Sequence, residues 1–372
     1  MRAFLVLVMV AAANAANLLR VQDSIPGQYI VKIKSDFDVE SILPTVRLAG
    51  GNIRRIFKSA LHGFSAELSD EVLDVVLNLP AVEYVEENGI ARPQTVPSWG
   101  LDRIDQRDLP LDNTFQHHLA TGSALVHVYV IDTGIQENHD EFTNRVHIEN
   151  PLQLTNPNDC HGHGTYCAGI AAGTNYGVAP GAHLCSVKVT DCTGYATNDN
   201  IIAAVEWIVE HAEKPAFASM SLVSGKSDSL DTAVSSLVSS GVQTAVAAGN
   251  YNADACYYSP SGATGVVTVG ATDSTDVRTS NSNYGSCVDI FAPGDQITSA
   301  WYDADSTSAT LTSSGTSSAC AHVTGAMVLY AVAGNQQETD DGLNTVNELI
   351  NGATADKITN AGTGSNNRLL YV

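Results

Sequence analysis

Val126-His127-Val128-Tyr129-Val130-Ile131-Asp132, followed by Thr133-Gly134, is the stretch whose reading decides the fold. It is an apolar, β-branched run that ends on a carboxylate and a tight turn. Similar runs recur at 183–189 (HLCSVKV), 217–222 (FASMSL), 242–249 (VQTAVAAG) and 265–270 (GVVTVG). Runs without polar alternation suit strands of a parallel sheet covered on both faces. Between them, IIAAVEWIVEHA (201–212) and a segment near 230–239 carry apolar residues at helical spacing. The alternation predicts an α/β fold from about Trp99 onward. Open sheets of this kind carry their sites at the carboxyl ends of strands. Asp132 closes the first strand, Ser224 lies just past the third and Asn250 just past the fourth.

Two further small-residue turns follow in the chain. Gly162-His163-Gly164-Thr165 opens the helical stretch CAGIAAG (167–173), and Gly315-Thr316-Ser317-Ser318-Ala319 opens a long apolar one. An Asp, a His and a Ser are the parts of a nucleophilic triad. Ser317 is the candidate nucleophile. At a helix start, free backbone N–H groups can donate to an oxyanion and the dipole favours negative charge. The competing reading is a serine that only caps a buried helix. His163 is the candidate base, preferred over His161 because it stands at the helix start; His161 is read as a solvated loop residue. His322, five residues past Ser317, is read as buried packing. Asp132 would accept the second imidazole N–H, and Asn250 would supply a side-chain oxyanion donor. The ordered set points to acyl transfer.

The rest of the chain frames this centre. Its 372 residues exceed what one ordinary domain needs, and 44% hydrophobic content suffices for a sizeable core. Arg2, the apolar run at 3–13 and Ala13-Asn14-Ala15 fit a cleaved secretory signal over 1–15, hence a soluble, secreted protein. Residues 27–34, 53–57, 62–68 and 82–88 read as strands, with helices at 38–48 and 70–79. That order resembles a ferredoxin-like α+β unit. GIARPQTVPS (89–98) reads as an extended linker. The formal net charge is −22, with 9 basic and 11 acidic residues in 1–93 against 9 and 29 in 94–372. So acidic a second part disfavours nucleic acid and anionic membranes as partners. Export lets disulfides persist, and seven cysteines leave at least one thiol unpaired.

The motifs Asp132-Thr133-Gly134, His163-Gly164-Thr165, Ala248-Gly249-Asn250 and Gly315-Thr316-Ser317 resemble those of the subtilases, in particular the proteinase K and aqualysin-like branch. The resemblance covers nearly all of the chain after the leader. It implies a three-layer, mainly parallel subtilisin-like fold (94–372) preceded by an inhibitor-type propeptide (16–93). It implies a serine endopeptidase made as an autoprocessed zymogen, a monomer inhibited by its own propeptide until cleavage within Ala91–Val96. Asp132, His163 and Ser317 would form the triad, with Asn250 and the Ser317 amide as oxyanion donors. Substrate would pair as an extended strand between Gly194-Tyr195-Ala196 and Ser221-Leu222-Val223-Ser224. Val223, where the family commonly has glycine, would narrow the pocket before the scissile bond, with an apolar or aromatic preference. Tyr166, Ser318 and Ala321 stand where the family usually has histidine, methionine and proline.

The resemblance also implies the disulfides Cys160–Cys192 and Cys256–Cys287 and a free Cys167 behind the histidine. Cys185 and Cys320 have no counterpart and are read as buried thiols. No catalytic cofactor is expected. Structural calcium is expected at Asp102, Asp105, Gln106 and Asp112, closely spaced hard ligands, and at Asp289 with the carbonyls of Thr264 and Val266. Solvated charge is the bland reading of both clusters. Two other functions compete: a subtilase-fold binding protein without turnover, and a metal-dependent hydrolase using His139, Glu141, His147, His161 and His163.

Overall fold

The computed structural model describes residues 15–20, 24–58, 61–89, 97–116, 126–334 and 343–372. The signal segment and the 91–96 cleavage window therefore lie outside the described residues, apart from Ala15. The chain forms two compact units, Met1–Gln94 and Thr95–Val372.

In the first unit a five-stranded sheet is built from Asn17–Leu19, Ser24–Ile33, Asn52–Phe57, Gly63–Glu67 and Val82–Gly89. Strand Ser24–Ile33 lies between Val82–Gly89 and Gly63–Glu67, antiparallel to both, and Asn52–Phe57 forms one edge. This is the order a ferredoxin-like unit requires. The sequence reading lacks the short strand Asn17–Leu19, which pairs parallel with Val82–Gly89. Helix Val39–Leu48 is capped by Asp38, and Asp70–Leu77 by Ser69, whose Oγ accepts the Val72 amide at 3.4 Å. Val31, Phe64, Val46, Val76 and Val85 from both layers close one apolar core.

The second unit is organised by a nine-stranded sheet. From one edge its order is Thr354–Ala355, Arg368–Leu369, Ile290–Pro293, Val267–Thr272, Gln243–Ala247, Ala216–Met220, His127–Asp132, His183–Lys188 and Val146–Glu149. All neighbours are parallel except the first pair. The central strands are buried throughout, which explains why their sequences do not alternate. Helices Asn198–His211 and Asp228–Ser239 cover one face with an Ile, Val and Leu core. Helices His163–Ala172 and Thr316–Ala333 cover the other. Thr316–Ala333 is long and apolar enough to cross a membrane, but most of it is buried inside the protein.

Three ties hold the periphery. Arg103, fully buried on helix Trp99–Ile104, makes a bidentate pair with Asp276 at 2.6 and 2.9 Å. Disulfides join Cys160 to Cys192 and Cys256 to Cys287, while Cys167, Cys185 and Cys320 are buried thiols. Their loops span 32 and 31 residues. Closing a loop of that size stabilises by about 3–4 kcal/mol each in the chain-entropy model.

Candidate active site

Asp132 ends strand His127–Asp132, and its carboxylate is 1% exposed. Its Oδ1 accepts the Thr133 amide at 2.7 Å and lies 2.8 Å from His163 Nδ1. That contact places the imidazole proton on Nδ1 and leaves Nε2 as the basic nitrogen. Oδ2 is buried with no protein partner among the described residues. His163 is the first residue of helix His163–Ala172. The helix starts from Gly162, whose φ of 112° suits only glycine and whose absent Cβ makes room for the Trp301 ring.

Burial opposes the charged imidazole. The Asp132 carboxylate and, after it, Cys167 outweigh that cost, so the His163 pKa is raised well above its ordinary value. The ring keeps 27% exposure, which limits the desolvation it suffers. Cys167 Sγ sits one turn along, 3.9 Å from both ring nitrogens.

Ser317 is the second residue of helix Thr316–Ala333, half-buried, and its Oγ donates to the Ser221 carbonyl at 3.3 Å. Asn250 follows strand Gln243–Ala247 across a turn. Its Oδ1 accepts from the Thr316 amide at 2.9 Å and from Thr316 Oγ1 at 3.0 Å. Thr316 Oγ1 in turn accepts the Gly249 amide at 3.1 Å. With Oδ1 committed, Nδ2 points its donors elsewhere. A Cβ at Gly315 would sit 3.2 Å from that nitrogen, a tight contact that glycine avoids in the turn before Ser317.

The segments expected to bind substrate have contacts to the turns of this centre. Ser221 touches the Ser317 backbone carbonyl through Oγ at 3.3 Å. Gly194 lies against His161, and Tyr195 is 78% exposed. Leu222 and Val223 are half-buried, with Val223 Cγ1 beside Gly249. His161 differs from its reading as a solvated residue. It is half-buried between Gly194 and Trp301, and its Nδ1 accepts the His163 amide at 3.4 Å. His322 is buried with Nδ1 donating to Ser318 O at 2.8 Å, and burial pushes its pKa down to about 4.

Asp159 is the residue that the sequence reading missed. It is buried, and its Oδ1 accepts from Thr133 Oγ1 and from the His161 and Gly162 amides at 2.9–3.0 Å. Its Oδ2 accepts the Thr165 amide at 3.1 Å and Thr165 Oγ1 at 2.6 Å. One carboxylate thus locks the histidine turn to the Asp132 turn. Asp and Gly three apart in a polar loop is a turn signal, but its use shows only in the folded contacts.

The expected calcium ligands divide. Asp102 spends both oxygens on the Asp112 and Asn113 amides, Asp105 Oδ2 accepts the Gln116 amide, and Asp112 Oδ1 accepts from Thr114. Gln106 donates its amide nitrogen to Pro110 O at 2.9 Å. Asp289 is different. It accepts one amide, from Thr268, and burial pushes its pKa up to about 6. The metallohydrolase set does not assemble: His139 bonds Ala309 O, Glu141 holds Asn175, and His147 stacks on His183. Among the described residues, only Asp132, His163 and Cys167 bring three ligand-type atoms within 4.8 Å of one another.

A carboxylate-oriented imidazole, a serine opening the helix packed against the imidazole's own, and an amide tied to that serine's turn are the equipment of acyl transfer. The comparisons agree. The Subtilase family matches residues 124–368, and Peptidase inhibitor I9 matches residues 28–94. The chain is 43% identical, over 97% of its length, to an extracellular serine proteinase of Thermus sp., of which it covers 93%. It is 35% identical to Proteinase R of Parengyodontium album over 96% of its length and 92% of that protein. The crystal structure of a cold adapted subtilisin-like serine proteinase matches with a TM-score of 0.69 at 43% identity, covering 75% of this chain and 98% of that one. With a subtilisin-like sheet, these turns and an I9 unit in front of them, the chain belongs to the subtilase family and is a serine peptidase.

Proposed function

We propose that this protein is a secreted serine endopeptidase, released from a zymogen by loss of residues 1–15 as signal and 16–93 as inhibitor and folding aid. The observation that carries the catalytic part is the 2.8 Å contact between His163 Nδ1 and Asp132 Oδ1, at the start of the helix that packs against the one Ser317 opens. Ser317 Oγ turns from the Ser221 carbonyl to His163, gives its proton to Nε2 and attacks the scissile carbonyl carbon. Asn250 Nδ2 and the Ser317 amide hold the oxyanion. His163 then hands that proton to the leaving amine, and the acyl-enzyme is cleared by water activated at the same nitrogen.

The segments 194–196 and 221–224 bind peptide main chain, which tolerates varied sequence. Val223 beside Gly249 narrows the space before the scissile bond and favours apolar or aromatic side chains that pack flat. Secretion is supported by the leader and by the extracellular Thermus relative. The acidic surface favours a soluble monomer acting on proteins, away from nucleic acid and anionic membranes.

Structural calcium fits Asp289 best, because among the described residues the carboxylate has one hydrogen-bond donor and no cationic partner. Thr264 and Val266, just before strand Val267–Thr272, would add carbonyl ligands. The Asp102, Asp105, Gln106 and Asp112 loop is a second, less demanding candidate, since much of its charge already serves backbone amides. Calcium here would stabilise folding.

Mass spectrometry of the secreted protein after a fluorophosphonate probe tests the reading. The expected result is a mature chain starting within 91–96 and labelled on Ser317, with Ser317→Ala unlabelled and inactive. A folded mature protein that takes no label, or binds its target equally well as Ser317→Ala with no turnover in wild type, would replace the peptidase reading with a binding protein.

A further inference from the structure

The three departures from the subtilase pattern meet in one place. Tyr166, Ser318 and Ala321 are all buried, and Tyr166 and Ala321 share a small cluster with Cys167, Ile170 and Ile297. Tyr166 Oη lies 2.9 Å from Ser318 Oγ, 2.8 Å from Ile297 O and 3.3 Å from Ser313 O. A phenol has one proton, and a carbonyl can only accept. With that proton on the nearer carbonyl, Ile297 O, the Ser318 hydroxyl donates to the phenol oxygen. The chain of bonds therefore runs from Ser318 through Tyr166 to Ile297. Burial raises the Tyr166 pKa, so the phenol stays neutral.

Its two hydroxyl residues are adjacent to the chemistry. Tyr166 lies three residues after His163 on the same helix, and Ser318 directly follows Ser317. Each of the two residues is itself anchored. The Tyr166 amide donates to Gly162 O at 3.0 Å, and its carbonyl accepts from Ser299 Oγ at 2.9 Å. The Ser318 amide donates to Gly315 O at 3.2 Å, and its carbonyl accepts from His322. The hydroxyl contact thus joins the turn that carries the base to the turn that carries the nucleophile, without using a reacting atom.

We propose that the Tyr166–Ser318 hydroxyl pair is a positioning device that sets the Ser317 turn against the His163 turn, acting on the chemical step and leaving peptide binding alone. The proposal rests on the peptidase reading of Ser317 and His163. Misplacing reacting groups by about 1 Å costs on the order of 100-fold in rate. A lost hydroxyl contact between their turns is expected to lower kcat by about 10- to 100-fold.

The test uses secreted full-chain Tyr166→Phe, Ser318→Ala and the double variant. Steady-state kcat and KM are measured on one peptide, with the rate of Ser317 labelling by the fluorophosphonate and the melting curve alongside. Both single variants are expected to lower kcat and the labelling rate together, with KM within about twofold of wild type. The double variant should be no slower than the worse single one, because two groups acting through one contact do not add. Folded single variants with wild-type kcat and only a lower Tm would overturn the proposal, as would a loss carried by KM or additive losses. If Tyr166→Phe does not fold, Ser318→Ala decides alone by the same kcat and labelling readouts. Wild-type labelling at Ser317 is scored first. Its absence overturns the peptidase reading, whereas labelled wild type with unimpaired variants overturns only the pair.

Discussion

Two carboxylates withdrawn from water are treated in opposite ways. Asp159, in the turn before His163, receives five hydrogen bonds from Thr133, His161, Gly162 and Thr165. Asp289, beside strand Val267–Thr272, receives one among the described residues, and burial pushes its pKa up to about 6. The same chemical group is a rivet in one region and an unmet demand in the other. Where the chain surrounds a buried charge with donors, the charge fixes geometry. Where it does not, the charge is costly unless a cation arrives. Asp132 stands between them, with its Oδ1 engaged twice and its Oδ2 unpartnered among the described residues.

The comparison breaks most easily at Asp159. Removing a buried acceptor leaves its neutral donors unpaired, and each buried donor so left typically costs about 1–3 kcal/mol. Asp159→Ala is expected to lose stability of that order in urea unfolding and to lower kcat as the His163 turn loosens. Asp159→Asn, which offers an amide nitrogen to groups that are themselves donors, should fall between. A loss below about 1 kcal/mol for the alanine variant would show that the five bonds are replaceable. Next in size is Asn250→Ala, where one fixed donor is lost. Losing one such donor typically costs about 100- to 1000-fold in kcat. KM on the same peptide should barely change; a matching rise in KM would remove Asn250 from the oxyanion role.

These two sites also show what the sequence makes legible. Asp132, His163, Asn250 and Ser317 each lie in a glycine-flanked turn at a strand end or helix start, so local pattern exposes them. The long central strands are legible for the same reason, since uninterrupted apolar runs are a local signal. Val146–Glu149, Ile290–Pro293 and Arg368–Leu369 are two to four residues long, too short to display a period, and they join the sheet only through their neighbours. Asp159 looks like any loop acid until Thr133, 26 residues away, is folded against it. Tyr166 and Ser318 are 152 residues apart, so their contact has no local trace.

At Asp289 the comparison predicts a crossing of two curves. A shift from the model-peptide value of 3.8 to about 6 corresponds to a cost of about 3 kcal/mol for keeping the carboxylate ionised, as an upper estimate. In EDTA at neutral pH, Asp289→Asn should therefore melt no lower than wild type. With millimolar calcium, wild type should gain several degrees and the variant should gain less. Equal calcium responses in both proteins would move the cation away from Asp289, toward the Asp102–Asp112 loop.

Asp132 gives the smallest effect, and it is read from pH. A protonated His163 cannot take the Ser317 proton, so kcat/KM falls as pH drops through the His163 pKa. Burial works against the charged ring, but Asp132 and then Cys167 raise that pKa well above its usual value. The acid limb of kcat/KM should accordingly lie above the range of an ordinary imidazole, giving an alkaline enzyme. Cys167→Ala, which removes the smaller of the two attractions 3.9 Å from the ring, should move the limb to lower pH while leaving it above the ordinary value. A wild-type limb at the ordinary imidazole value would mean that the half-satisfied Asp132 spends its charge elsewhere, on water or on a partner at Oδ2. Asp132 would then behave like Asp159, holding geometry without tuning the base, and the contrast between riveted and unmet carboxylates would stop short of the reacting centre.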